Sequence, residues 1–124
     1  MLGTPWFPDL SGAILLLEDI NEPLYRLDRL LTQLFYSGWL NRVNGIILGQ
    51  FSDTENTVDR LKQNEFVWTR IVELTHDSPI PIWGNFPVGH VSKNITIPIV
   101  AILVGLPLME KLKITLFMFL VGCY

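Results

Sequence analysis

Residues 12–35 read GAILLLEDINEPLYRLDRLLTQLF, a segment that predicts a buried strand followed by an amphipathic helix. Its first part, 13–17, is a short continuous apolar run between a glycine and two acids, which is typical of a strand covered on both faces. Pro23 then favours a helix start, because proline suits the first helical turn. Leucine and phenylalanine recur every three or four residues from there to Phe35, which predicts an amphipathic helix ending near Gly38.

The rest of the chain continues this alternation of strands and helices. Loops are predicted at 52–57 and 86–90. Further strands are predicted at 43–49, 80–83, 95–103 and 113–121, and a second helix at about 57–74 with an apolar side of Val58, Leu61, Trp68, Ile71 and Val72. The order of strand, helix, strand, helix, strand and further strands predicts an α/β fold with mixed strands and two main helices.

The composition of the 124 residues excludes several function classes. Apolar residues make up 49% and charged residues 17%, which indicates one folded domain rather than a disordered chain. The net charge of -3 and the lack of a basic stripe argue against a nucleic-acid partner. Cys123 is the only cysteine, which excludes a disulfide framework and a cysteine-ligated zinc site. The sequence also lacks a phosphate loop, a Rossmann glycine pattern and a paired-histidine metal motif.

The apolar last part of the chain, 95–124, raises the question of a membrane span. A spanning helix needs about 20 consecutive apolar residues. Glu110, Lys111 and Lys113 split this segment and prolines interrupt it, so buried strands are the better interpretation and a membrane partner is not expected. The first residues carry no basic flank and no long apolar run, so we expect no signal peptide.

Two positions offer side chains for catalysis. Glu18 and Asp19 directly follow the first strand, at the carboxyl end where sites form in open α/β sheets. A carboxylate there can orient a histidine or act as a base, although both acids also suit the start of the next helix. His90 follows Gly89 in a loop, whereas His76 lies in a polar stretch and is expected to be incidental. None of the five serines lies in a nucleophile elbow, so the sequence supplies an acid and a histidine without a visible nucleophile.

Several segments, taken in order, carry a family resemblance. They are GTPW at 3–6, GAILLLEDINE at 12–22, RLDRLLTQL at 26–34, GIILG at 45–49, GH at 89–90 and NITIP at 94–98. Over roughly residues 3–104 the chain resembles the C-terminal domain of the LD-carboxypeptidases. These are muramoyl-tetrapeptide carboxypeptidases, serine peptidases that also include the microcin-immunity peptidases.

The resemblance implies a small swivelling β/β/α-type domain that supplies the glutamate and histidine of a Ser-Glu-His triad. Carried over by position, these residues are Glu18 and His90, with Glu22 as the main alternative for the acid. The serine would lie in an N-terminal flavodoxin-like domain. We therefore expect residues 1–124 to be the C-terminal domain alone, and inactive by itself.

The resemblance also implies a reaction and its setting. The reaction is release of the terminal D-alanine of a murein tetrapeptide, as in peptidoglycan recycling in the bacterial cytoplasm, and a microcin-like substrate stays open. No cofactor or metal is implied, and a homodimer is the usual assembly. The chain departs from the family at Val100, where glycine is usual, and in its apolar end after Gly105. Two other classes therefore stay open, a non-catalytic binding or dimerisation module and an inactive remnant of such an enzyme.

Overall fold

The computed structural model describes residues 2, 4–20, 22–52, 54, 56–78 and 80–97, together with the backbone of 101–103 and 112–114. The described elements follow the order β1 (Ile14–Leu17), α1 (Leu24–Tyr36), β2 (Gly45–Leu48), α2 (Thr57–Leu74), β3 (Ile82–Trp83), β4 (Ala101–Leu103) and β5 (Leu112–Ile114). This order confirms the predicted α/β fold with two main helices.

A parallel sheet with the strand order β1-β2-β3 forms the centre of the fold. β1 pairs with β2 over its whole length, with Ile14 opposite Gly45 and Leu17 opposite Leu48. β3 pairs with the other side of β2. Parallel neighbours need a crossover connection, and α1 and α2 provide the two crossovers. Because the strands run in the same direction, β1 and β2 end at the same edge of the sheet, and Glu18 follows β1 at that edge.

The core lies between this sheet and the inner faces of the two helices. The predicted apolar period of α1 is confirmed from Leu27 onward, because Leu27, Leu31 and Leu34 are buried. Leu24, the first leucine of the period, is 41% exposed. Gly38 adopts a φ of 78° and donates its backbone N–H to the Phe35 carbonyl at 2.9 Å, which ends the helix. The buried apolar cluster consists of Leu10, Leu15, Leu17, Leu27, Leu31, Leu34, Leu40, Val43, Ile46, Leu48, Phe51, Val67 and Ile71.

The predicted apolar side of α2 is partly wrong. Val67 and Ile71 are the buried residues of this helix. The exposed fraction is between 42% and 59% for the other apolar residues of the predicted side, Val58, Leu61, Trp68 and Val72. Trp68 and Val72 each follow a buried position by one residue, which turns them about 100° around the helix axis from Val67 and Ile71. The Trp68 ring lies against Gly84, the residue after β3, where it stays partly exposed. Periodicity alone does not distinguish these two neighbouring stripes.

The C-terminal strands are shorter than predicted within the described residues. β4 pairs antiparallel with β5, with Ala101 opposite Ile114, so the predicted mixture of strand directions is confirmed. Residues 95–97 form no strand, because Ile95 donates its backbone N–H to the Pro87 carbonyl at 3.0 Å instead of to a neighbouring strand. Of the other predicted strand residues, 98–100 and 115–121 lie outside the described residues. In the part of the chain that is described, neither helix is long and apolar enough to cross a membrane.

Candidate active site

Glu18 occupies the carboxyl end of β1 and is buried, with a side chain 4% exposed. The ends of β1 and β2 stay together around it. Gly49 donates its backbone N–H to the Leu17 carbonyl at 2.8 Å, and Asp19 donates its own to the Gln50 carbonyl at 3.4 Å. A mainly leucine-lined cavity of about 60 Å³ borders both acids. Glu18 is therefore shielded from water by the paired ends of β1 and β2.

His90 reaches the same edge of the sheet on the loop that follows β3, residues 84–90 (the histidine loop). Phe86 donates its backbone N–H to the Leu48 carbonyl at 2.9 Å, and the Gln50 N–H donates to the Val88 carbonyl at 3.1 Å. These two bonds extend the β2 pairing beyond β3 and carry the loop past the end of β2. His90 comes two residues later and is 55% exposed.

The structure brings Glu18 and His90 together although they lie far apart in the sequence. The distance from His90 Nδ1 to Glu18 Oε2 is 3.7 Å, which is within ion-pair range and too long for a hydrogen bond. Glu18 Oε2 is buried and has no hydrogen-bond partner among the described residues. A buried carboxylate oxygen without a hydrogen-bond partner destabilises the folded chain. Movement of a donor into hydrogen-bond range of Glu18 Oε2 is therefore favourable. Catalytic hydrogen bonds are often long in the absence of substrate.

Two glycines permit this close approach. Gly89 adopts a φ of 116°, and a Cβ atom on it would lie 2.9 Å from Glu18 Oε2. A Cβ atom on Gly49 would lie 2.8 Å from the Val88 carbonyl oxygen and 3.0 Å from Glu18 Cβ. Side chains at either position would push the histidine loop away from the acid. The Gly-His and strand-end glycine elements of the sequence are thus explained by the geometry of the site.

The alternative acid, Glu22, has a different partner. Its carboxylate pairs with the Arg26 guanidinium at 3.0 Å one helical turn further on. Asp19 is half-buried, and this burial raises its pKa from 3.8 to about 6, with the nearby carboxylates of Glu22 and Glu18 adding to the shift. The Ile20 backbone N–H donates to Asp19 Oδ1 at 2.8 Å and opposes the shift in part. Of these acids, Glu18 is the one that faces His90.

The remaining sequence candidates lie elsewhere. His76 is 83% exposed at the far end of α2 and pairs with Asp77 at 2.8 Å. None of the five serines, all of which are described, hydrogen-bonds to His90. Within the described ranges, no group of three or more His, Cys, Asp or Glu side chains is placed to hold a metal ion.

Sequence reasoning missed a polar network beside the pair, formed by Gln50, Asn64 and Asn85. Gln50 Nε2 donates to Asn85 Oδ1 at 2.9 Å, and Asn64 Nδ2 donates to Gln50 Oε1 at 2.9 Å. The available signals were weak. Gln50 is a polar residue directly after the strand-end glycine, and Asn64 is one of several polar residues in the second predicted helix.

Comparison with known proteins gives a consistent result. Residues 1–103 match the sequence model of the LD-carboxypeptidase C-terminal domain. A Synechocystis sp. protein that carries a carboxypeptidase name is 38% identical over 100 residues, which are 79% of this chain and 32% of that protein. The murein tetrapeptide carboxypeptidase of Pseudomonas aeruginosa is 35% identical over 85 residues, which are 68% of this chain and 26% of that protein.

A solved protein structure is also similar to the structure of this chain. The crystal structure of muramoyltetrapeptide carboxypeptidase from Oxalobacter formigenes superposes with a TM-score of 0.57 at 36% identity, over 77% of this chain and 33% of that one. The chain thus spans a third or less of the length of these proteins. The match over residues 1–103, together with these similarities, shows that the chain belongs to the LD-carboxypeptidase C-terminal domain family.

Proposed function

We propose that residues 1–124 form the C-terminal domain of a serine-type LD-carboxypeptidase and supply Glu18 and His90 to its Ser-Glu-His triad. The observation that carries the proposal is the 3.7 Å approach of His90 Nδ1 to a buried Glu18 oxygen that lacks a hydrogen-bond partner. The substrate is a murein tetrapeptide, as in the names of the relatives. The bond cleaved is the amide to the terminal D-alanine, as part of peptidoglycan recycling in the bacterial cytoplasm.

In this mechanism His90 moves the protons. With Nδ1 directed at Glu18, the other ring nitrogen, Nε2, is free to face a serine hydroxyl contributed by an N-terminal nucleophile domain. His90 takes the serine proton as the oxygen attacks the peptide carbonyl, and it returns the proton to the departing D-alanine amine. A water molecule then releases the acyl group by the same proton route. The 55% exposure of His90 suits a ring that meets groups from outside this domain.

Glu18 acts on the imidazole rather than on the substrate. Its carboxylate holds the proton on Nδ1 and stabilises the imidazolium that forms when His90 takes the serine proton. Burial strengthens this interaction because little water screens it. The same carboxylate is too enclosed, at 4% exposed, to meet a peptide directly.

The test is D-alanine release from a murein tetrapeptide, measured by mass spectrometry. We expect none from the 124-residue chain alone, and release when it follows a nucleophile domain in a two-domain protein. In that protein His90→Ala is expected to cost on the order of a million-fold, as loss of the serine would, and Glu18→Ala roughly ten-thousand-fold. His76→Ala is the matched control and is expected to leave the rate unchanged. Turnover by the chain alone, or full activity in His90→Ala, would contradict the proposal.

A second candidate function is a binding or dimerisation module. The observation that favours it is the exposed apolar stripe of α2, formed by Val58, Leu61, Trp68 and Val72. The homodimer implied by the family resemblance belongs to this candidate as well as to the enzyme. A two-domain protein that forms dimers and releases no D-alanine would favour the module over the triad.

A further inference from the structure

The geometry points to Gln50 as a positioning residue for His90, and we propose that its side-chain amide holds the histidine loop against Glu18. This inference rests on the proposed function, because it assigns a role within the same Glu18–His90 pair. Glu18 Oε2 makes no hydrogen bond among the described residues, so the pair does not hold its own geometry. The surrounding contacts must set the 3.7 Å distance.

Gln50 contacts the histidine loop at three points. Its Nε2 donates to Asn85 Oδ1 at 2.9 Å and to the Phe86 carbonyl at 3.2 Å. Its backbone N–H donates to the Val88 carbonyl at 3.1 Å. The residue is buried, at 7% exposed, so water does not compete for these bonds. The start and the middle of the loop are therefore attached to one residue at the end of β2.

Gln50 also contacts the chain next to Glu18. The Gln50 carbonyl accepts the Asp19 backbone N–H at 3.4 Å, next to Glu18. A Cβ atom on Gly89 would lie 3.6 Å from that carbonyl oxygen, so the chain around His90 packs directly on Gln50. Gln50 is thus in contact with the backbone on both sides of the pair.

The orientation of the Gln50 amide is determined by α2. Asn64 Nδ2 donates to Gln50 Oε1 at 2.9 Å, and Asn64 Oδ1 accepts the Phe51 backbone N–H at 3.1 Å. Since a backbone N–H only donates, Asn64 Oδ1 must face Phe51, and Gln50 must direct both of its amide hydrogens at the loop. Asn85 has a φ of 54°, a left-handed conformation that asparagine adopts more readily than most residues with a side chain, and in it Oδ1 accepts the Gln50 amide.

The experiment uses the 124-residue chain labelled with ¹⁵N-histidine, whose spectrum contains two rings, His90 and His76. Gln50→Met keeps the size of the side chain and removes the side-chain hydrogen bonds, while the backbone bond to Val88 remains available. We expect the His90 ring nitrogen signals to move in the same direction as in Glu18→Gln and by at least half as much, while His76 does not move. In a uniformly ¹⁵N-labelled sample of the same variant, we also expect the Phe86 amide hydrogen to exchange about tenfold faster.

Two further variants separate positioning from general stability. Thr75→Val removes a buried hydrogen bond of 2.8 Å to the Ile71 carbonyl at the other end of α2, and it is expected to leave the His90 signals in place. Asn85→Gly suits the positive φ and removes one of the Gln50 contacts. It therefore gives a smaller shift in the same direction, and it tests the proposal if Gln50→Met does not fold.

The outcomes distinguish this inference from the proposed function. If Glu18→Gln moves the His90 signals but Gln50→Met and Asn85→Gly do not, the role of Gln50 is overturned and the pair stands. If the Gln50 variant moves them but Glu18→Gln does not, Gln50 positions the loop and the Glu18–His90 pairing fails. Equal His90 shifts in Gln50→Met and Thr75→Val would also overturn the inference, because they would indicate a general loss of stability.

Discussion

Substituting Gly89 by alanine tests whether the histidine loop is held in contact with the buried acid. Gly89 adopts a φ of 116°, which a residue with a Cβ atom reaches only at a cost of about 1–3 kcal/mol. The new methyl group would also lie 2.9 Å from Glu18 Oε2, where ordinary contacts begin at 3.4 Å. Overpacking of this kind typically costs a further 1–3 kcal/mol or so. We therefore expect Gly89→Ala to lower the free energy of unfolding by about 2–6 kcal/mol.

Gly38→Ala is the matched control for this substitution. Gly38 also has a positive φ, of 78°, but a Cβ atom there would meet nothing within 4 Å. Its expected cost is the backbone strain alone, about 1–2 kcal/mol. Urea denaturation of the 124-residue chain measures both variants, and a loss of 2 kcal/mol lowers the midpoint by about 1 M.

A double-mutant cycle isolates the contact with Glu18 from the backbone strain. Glu18→Ala removes the oxygen that the new methyl group would meet, so the cost of Gly89→Ala should fall by at least about 1 kcal/mol in that background. Additive effects, within about 0.5 kcal/mol, would show that Gly89 and the Glu18 carboxylate do not touch, which would contradict this prediction.

Two further predictions concern the same edge of the sheet. Gly49→Ala is expected to lower the free energy of unfolding by about 1–3 kcal/mol, because its Cβ atom would lie 2.8 Å from the Val88 carbonyl oxygen. Gly45→Ala, with its nearest contacts at 3.3 Å, is expected to cost less in the same urea titration, and the reverse order would contradict the packing. Burial raises the pKa of Asp19 from its ordinary value of 3.8 to about 6 in the folded chain. The folded chain therefore binds this proton more tightly than the unfolded chain does. As a result, the free energy of unfolding falls as the pH rises from about 4 to about 6. Asp19→Asn is expected to remove this fall, and an unchanged pH profile of stability in that variant would show that another group causes it.

The amino-acid sequence predicted the order of the strands and helices, and with the family resemblance it indicated Glu18 and His90 as candidates for the site. Apolar runs and three- to four-residue periods are local signals, so β1, α1 and β2 could be read from segments a few residues long. Glu18 and Asp19 were candidates because sites form at the carboxyl ends of parallel strands, and the choice of Glu18 came from the family resemblance. The role of His90 came from family resemblance, and the structure adds its distance from Glu18.

The contacts that hold the candidate site together were not predictable from the sequence. Gln50 bonds to Asn64 and Asn85, which lie 14 and 35 residues away, and no period or motif in the sequence relates these positions. The exposed stripe of α2 was equally hidden, because an apolar period shows that a helix has a buried side without showing which of two neighbouring stripes meets the sheet. In both cases, burial and hydrogen-bond partners depend on which strands and helices pack together. The local pattern of a segment does not specify these distant neighbours.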